Sequence, residues 1–418
     1  MIQKFFFLTA SILLFFSGAP SCSGGPAKSE PVPVVAGTAP VAGTEFAVEP
    51  HLEPEGPPEA DYITIIAAGD NLYHDIMVRL GESGNYESFY SEIRPIVQAA
   101  DIAFINQETL LAGEAFGFTG YPQFNSPQNV GRAVAATGFD VINHANNHTM
   151  DKGEKAVIAT MDFWDTIPGI TVLGVHRSQE QRDLPKLITK NNITLGFLSY
   201  TYGTNGIPVP SGKPWLVSLI NREIMAKEID ALRPLCDVLV VSMHWGEEYQ
   251  YDYNRSQTSL VSFLSERRVD LIIGHHPHVL QPVEFIERKD GDTNGTADGA
   301  TMLCFYSLGN LISAQVRPST LLGALAYIKI KKIPAAIGDS GAAIVFEDAG
   351  AIPVVTHYEG TPASFKVYPL YAYTEELAKK HWRNRSGKEL TKEITLDGLN
   401  GIAKGVLSDK LMLYNPFE

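Results

Sequence analysis

The chain has 418 residues, 44% hydrophobic and 19% charged, which supports one large buried core with a satellite and a globular fold. Its formal charge of −14 opposes a long-range field that would gather nucleic acid, so nucleic acid is excluded as an expected partner.

The N-terminus, "MIQKFFFLTASILLFFSGAPSC", carries one lysine, an apolar stretch from Phe5 to Phe16 and then small residues, the anatomy of an export signal. The apolar stretch is short for ~30 Å of hydrocarbon, so a permanent transmembrane helix is the weaker reading. "GAPSC" is similar to a bacterial lipobox, with Ala19 and Pro20 at less usual positions, which makes 1–22 a lipoprotein-type signal and Cys22 the lipid attachment point. Ordinary secretion with cleavage nearby is the alternative. Residues 23–60 are rich in Pro, Gly, Ala and Glu without periodicity and read as a disordered tether holding the rest away from a membrane. Beyond Cys22, only Cys236 and Cys304 remain, so no disulfide framework is expected.

From Asp61 onward, short β-rich apolar runs end in polar clusters and are followed by helical patterns, the grammar of an α/β fold. "YITIIAAGDNLYH" delivers Asp70 and His74, and "DIAFINQE" delivers Asn106 and Glu108. "FDVINHANNHTMD" delivers Asn146, Asn147, His148 and Asp151, "DVLVVSMHWGEE" delivers His244, and "DLIIGHHPHVLQP" delivers His275, His276 and His278. Helices are predicted over roughly 88–99, 128–137, 153–165, 221–233 and 256–267. In open α/β sheets the strand C-termini form the ligand crevice, so this pattern gathers five polar clusters in one place.

Carboxylates, amide oxygens and imidazoles together suit divalent manganese, iron or zinc, and the number of possible ligands exceeds what one tetrahedral ion needs. The expectation is two divalent metal ions sharing a carboxylate, which suits displacement at a phosphoester. A histidine held by a carboxylate can donate a proton to a leaving oxygen, a role open to His148 with Asp151. "YPQFNSP" and "SLGN" offer Asn125 and Asn310 to the cleft wall, with turn chemistry as the alternative. "NHT" at 147–149 matches a glycosylation sequon only by accident of composition. The stretch from Asp290 to Thr301 mimics an EF-hand loop but has Thr301 where a bidentate glutamate belongs, so a hairpin loop is the better reading.

"GHHPHVLQPVE", "SMHWGEEY", "NHANNHTMDKG", "NQE" and "FYSLGNL" together resemble the bacterial capsule-synthesis family CapA/PgsA, itself similar in fold to the calcineurin-like metallophosphoesterases. The resemblance covers about residues 62–315. It implies a four-layer α/β/β/α sandwich and a role in making or anchoring a poly-γ-glutamate-type polymer. It implies metal ligation by Asp70, Asn106, Glu108, Asn147, His244, His276 and His278, with His148 as general acid oriented by Asp151. Asn106 and Glu108 stand where the phosphoesterases place a bridging aspartate. Leu72 stands where they have a histidine, and His74 is its nearest substitute on the substrate side. His275 is the alternative to His276 as ligand and otherwise a substrate-side residue, as are Asn125 and Asn310.

The expected organisation is therefore a signal over 1–22, a tether over 23–60, a metallophosphoesterase-like domain over 61–315, and strands and helices packed on it over 316–418. In that last part "ALAYIKIKKI", "AAIVFED" and "AIPVVTHYEG" alternate as strands of a second sheet, while "TEELAKKHW" and "LNGIAKGVLSDKLM" read as helices. His357 and His381 lack ligand-like neighbours in sequence and are left out of the site. The expected partners are an anionic polymer or phosphoester, a membrane through the lipid anchor, and membrane-bound capsule-synthesis proteins. A secreted phosphomonoesterase or phosphodiesterase, and a non-catalytic polymer-binding lipoprotein, are the competing functions.

Overall fold

In chain order the strands are β1 (Asp61–Asn71), β2 (Ile102–Gln107), β3 (Val141–Asn143), β4 (Thr171–Leu173), β5 (Leu187–Lys190), β6 (Ile193–Thr201) and β7 (Val238–His244). There follow β8 (Leu271–His275), β9 (Val283–Glu287), β10 (Thr301–Phe305), β11 (Asn310–Ile312), β12 (Leu322–Ile333), β13 (Ala343–His357) and β14 (Lys366–Pro369). The computed structural model describes residues 61–288, 301–333, 343–386 and 393–417, so the expected signal, Cys22, the tether and the 290–300 loop lie outside the described residues.

Among the described residues the strands make two sheets, β14-β13-β12-β1-β2-β3-β4 with β11 beside β1, and β5-β6-β7-β8-β10-β9. Strand alternation assigns each apolar side chain a layer. Ile63, Ile65 and Ala67 of β1, Phe104 of β2 and Val141 of β3 meet Phe197, Val240, Ile273 and Phe305 of the other sheet in one inner core. The alternate residues Ile66, Ala103, Ile105 and Ile142 face Val130, Val134, Phe163 and Trp164 of the helices Gln128–Thr137 and Glu154–Trp164. Leu239, Val241 and Ile272 of the second sheet face Met225, Ile229, Leu260 and Leu264 of the helices Arg222–Leu232 and Arg255–Glu266. Both faces of the central strands are covered, which is why "IAFIN" and "VLVVSM" read as unbroken apolar runs. The result is the expected α/β/β/α sandwich.

Four of the five predicted helices form within a residue or two of their expected ends. The fifth, over 88–99, divides into a 3₁₀ turn at Tyr86–Tyr90 and a helix at Arg94–Gln98, since Pro95 belongs in a first turn and starts a new one. "TEELAKKHW" likewise breaks at His381 into Glu375–Lys380 and Trp382–Arg385. The strands after Ser313 do not build a separate sheet. β12 runs antiparallel to β1 from Asp61↔Lys332 to Ala68↔Leu325, and β13 and β14 continue outward from it. Alternation alone could not choose the pairing partner, and twelve-residue β12 completes the inner core with Leu322, Ala324, Ala326 and Ile328. β9 and β10 pair antiparallel, as a hairpin requires. Cys236 and Cys304 are free thiols.

Candidate metal centre

Register places polar side chains at the C-terminal edges of both sheets. Asn310 of β11, Asp70 of β1, Asn106 of β2 and Asn143 of β3 stand opposite one another in sequence across neighbouring strands. In the facing sheet, Thr201, His244 and His275 form the corresponding row. Asn106, Asn143, His244 and His275 share the parity of inner-core residues two positions earlier, such as Phe104, Val141 and Ile273, so they point between the sheets. On β1 the register shifts between Ala68 and Asp70, and this bulge turns the carboxylate to the same side. Gly69 allows it, because a Cβ there would stand 2.1 Å from the Gly309 carbonyl oxygen.

The buried Asp70 carboxylate organises one side. Asn106 Nδ2 donates to its Oδ1 at 2.8 Å, the His276 backbone N–H donates to Oδ2 at 3.3 Å, and His278 Nδ1 lies 3.0 Å from Oδ2. Asn106 Oδ1 in turn accepts from Asn143 Nδ2 at 2.8 Å, and Asn143 Oδ1 accepts from Ser199. On the other side His244 Nε2 lies 2.8 Å from Asn147 Oδ1. Between them sits Glu108, 1% exposed, with neither carboxylate oxygen hydrogen-bonded. Its Oε1 is 3.8 Å from both His244 Nε2 and His278 Nε2.

Among the described residues, three groups have their ligand atoms within 4.8 Å of one another: Glu108, His244 and His276; Asp70, Glu108 and His278; and Glu248, His276 and His278. Oxygen and imidazole ligands suit a divalent transition metal, and ligand atoms 3.0–3.8 Å apart match neighbours on an ion with bonds of about 2.0–2.2 Å. An unpartnered buried carboxylate costs on the order of a few kcal/mol, and a cation beside Glu108 could offset that cost.

The electrostatics agree. Burial, and then the Asp70 charge, push the Glu108 carboxyl well above its ordinary value. Burial lowers the His278 imidazole, but Glu108 and the bond to Asp70 outweigh it and raise it to about 9. For Asp70, burial is outweighed by the His278 hydrogen bond and charge, which bring the carboxyl below its usual range. Protons thus gather where positive charge is wanted. Burial with the neighbouring imidazoles holds His244 well down, and burial takes His276 to about 3 and His275 to about 4, keeping their nitrogens as neutral lone-pair donors.

His276 and His278 leave the end of β8 at φ 98° and 57°, a region uncommon for residues with a Cβ and often found where function holds the backbone in strain. Beside the metal-capable groups, His148 Nδ1 lies 2.7 Å from Asp151 Oδ2, which also accepts from the Phe124 backbone at 2.7 Å. The Phe124 ring meets the His148 ring edge-on at 4.6 Å.

The remaining sequence candidates divide. His275 stacks on Phe104 with its Nδ1 3.6 Å from Asp70, and enters none of the three metal-capable groups, whereas His276 enters two. His74 packs at 5.5 Å on the Phe124 ring and accepts from the Ala314 backbone at 3.3 Å. Asn310 Nδ2 donates to the Thr320 carbonyl at 2.8 Å and lies 3.4 Å from the His278 carbonyl, while its buried Oδ1 has no partner. Asn125 is corrected from cleft wall to loop staple: its Oδ1 accepts from Ala112 and its Nδ2 donates to Gly113 and Gly117, which consumes the amide in turn chemistry.

Sequence reasoning missed Asn143, Ser199, Asn205, Glu248, Tyr202 and Tyr249. Asn143 had a signal, since "VIN" closes β3 much as "FINQ" closes β2. Asn205, whose Oδ1 accepts from Asn147 Nδ2 at 3.2 Å and whose Nδ2 lies 3.3 Å from His148 Nδ1, sits in a loop with no such cue.

A model of the bacterial capsule synthesis protein family PGA_cap matches residues 64–315. The PGA biosynthesis protein CapA of Bacillus subtilis (strain 168) is 28% identical over 276 residues, covering 65% of this chain and 69% of that protein. The capsule biosynthesis protein CapA of Bacillus anthracis is 29% identical over 221 residues, covering 51% of this chain and 48% of that protein, so the chain spans about half of this relative. Among solved structures, the NAD nucleotidase NadN of Haemophilus influenzae covers 83% of this chain and 60% of its own, at 10% identity and a TM-score of 0.41. Every residue of the three metal-capable groups falls inside 64–315, and the chain belongs to the bacterial capsule synthesis protein family.

Proposed function

We propose that this protein acts in the synthesis or anchoring of a poly-γ-glutamate-type capsule polymer, as an exported, lipid-anchored enzyme with a two-metal, phosphoesterase-like centre. Family membership supports the polymer, and the chemistry of the site supports the reaction class. The observation that carries it is Glu108, whose bare carboxylate belongs to two ligand groups at once, one with His244 and His276 and one with Asp70 and His278.

Asp70, Glu108 and His278 would hold one ion, and Glu108, His244 and His276, with the Asn147 amide oxygen beside them, the other. Bound divalent ions supply charge that polarises a phosphoryl oxygen and lowers the proton affinity of water. The chain's own residues do the rest. Asn106 and Asn143 fix the Asp70 carboxylate through hydrogen bonds at 2.8 Å. Asp151 accepts from His148 Nδ1–H and stabilises the ring in its doubly protonated form, in which Nε2 carries the proton handed to the departing oxygen. That acid–base pair favours turnover over a purely metal-held binding role.

The test is hydrolysis of a bis-aryl phosphate by the purified protein with manganese. Wild type turns over, and His148→Ala and Asn147→Ala each lose most of the rate. Activity that survives both substitutions refutes the site, and no turnover with manganese, iron or zinc refutes the reaction class.

A further inference from the structure

At the mouth of the metal centre stands a cation that the site's hydrogen bonding does not use. Arg317 is exposed, and its guanidinium lies over the Tyr249 ring with Cζ 4.6 Å from the ring centroid. The Tyr249 ring is 6.2 Å from the His278 ring. No carboxylate among the described residues forms an ion pair with Arg317, unlike Arg177, Arg233 or Arg267, which each have at least one.

Its backbone is fixed from the centre outward. Asn310, facing Asp70 across β11, donates to the Thr320 carbonyl at 2.8 Å, and Thr320 returns its N–H and hydroxyl to the Arg317 carbonyl at 2.9 and 3.0 Å. Tyr249 is held with its backbone at φ 66° by an N–H bond to the Pro277 carbonyl at 2.8 Å, between His276 and His278. Both halves of the Arg317–Tyr249 stack are therefore tied to the residues around the proposed ions. On the far side, half-exposed Tyr202 lies over His276 with ring centroids 4.6 Å apart.

Stacking on an aromatic face orients a guanidinium while leaving its N–H fork to grip an oxyanion. The chain is net negative, and Asp70, Glu108 and Glu248 line the neighbouring groups, so an anionic ligand gains nothing here except from bound cations and from Arg317. Arg317 stacks on the Tyr249 ring, which neighbours the His278 imidazole, so an extended ligand can place one group between the ions and a separate oxyanion on Arg317.

We propose that Arg317 on Tyr249 is a carboxylate subsite that docks an acidic polyamide chain beside the metal centre, between the aromatic walls of Tyr249 and Tyr202. This deepens the proposed function by assigning a subsite for its polymer and rests on that reading. Arg317 lies beyond residues 64–315 matched by the family model.

The test uses the full chain loaded with manganese and a fluorescein-labelled glutamate decamer, with a glutamine decamer as uncharged control and inorganic phosphate as competitor. Wild type binds the glutamate decamer and not the glutamine one. Arg317→Ala weakens binding about tenfold or more, Arg317→Lys falls between, Tyr249→Leu weakens it likewise, and manganese content and melting temperature stay at wild-type values. Equal affinity of Arg317→Ala and wild type overturns the subsite, as does absence of binding by wild type. Displacement by phosphate at the same concentration as by free glutamate oligomer assigns the group to phosphate and overturns the carboxylate. If wild type holds no metal yet binding still depends on Arg317, the metal reading falls and the subsite stands.

Discussion

His148 and Asp151 are joined at 2.7 Å between Nδ1 and Oδ2, three residues apart in sequence and both buried. In the proposed reaction the pair makes His148 an acid for the leaving group, so its worth depends on how much help that group needs. The His148→Ala defect is expected to be about tenfold for an aryl ester and to grow to about 10²–10⁴-fold for an alkyl leaving group. Rates across a series of leaving groups check this. A defect independent of leaving-group pKa contradicts the role. Asp151→Asn should reproduce the trend with a smaller amplitude.

Gly69 sits in the bulge that turns Asp70 inward, and an added methyl meets the Gly309 carbonyl at 2.1 Å. That carbonyl accepts the Asp70 N–H at 2.8 Å, so relief of the clash has to separate β1 from the turn before β11. Gly69→Ala should cost about 1–3 kcal/mol of stability, as overpacking does, and should lower manganese affinity together with it. Chemical denaturation and metal titration of one sample measure both. Unchanged affinity would show that the bulge does not position Asp70.

His144 Nε2 accepts from Trp164 Nε1 at 2.8 Å. Indole nitrogen only donates, so His144 must stay neutral, and burial takes its pKa from 6.5 to about 3. A histidine lowered on folding contributes stability that is complete above 6.5 and is lost as pH falls toward 3. At pH 5 the loss from this residue is about 2 kcal/mol, from ~1.4 kcal/mol per unit. His144→Gln should flatten the fall in melting temperature between pH 7 and 5 relative to wild type. An unchanged slope would contradict the account.

Much of this was legible in the sequence because strand ends announce themselves. A run such as "VDLIIG" followed by "HHPH" fixes both the buried strand and the place its polar tail emerges, and the order of such runs fixes the crevice. What sequence could not carry were relations across long separations. The pairing of β12 with β1 depends on which apolar edge remains uncovered, and Asn310 opposite Asp70 depends on register between strands 240 residues apart. The choice between His275 and His276 turns on backbone geometry: His275 keeps strand parity and stacks on Phe104, while the left-handed φ of His276 sends it toward Glu108 and Glu248. Asn125 misled because an asparagine in a turn and one in a cleft look alike until the amide's partners are known. The Ala112 N–H and the Gly113 and Gly117 carbonyls supplied them.

The central claim is that one buried carboxylate serves two ions. Metal analysis of the purified protein after manganese loading and desalting tests it most directly, with Glu108→Gln beside wild type. The account predicts about two equivalents per chain for wild type and, for Glu108→Gln, loss of tight binding at both positions with the fold intact. Two retained equivalents in the variant, or none in wild type, would contradict it.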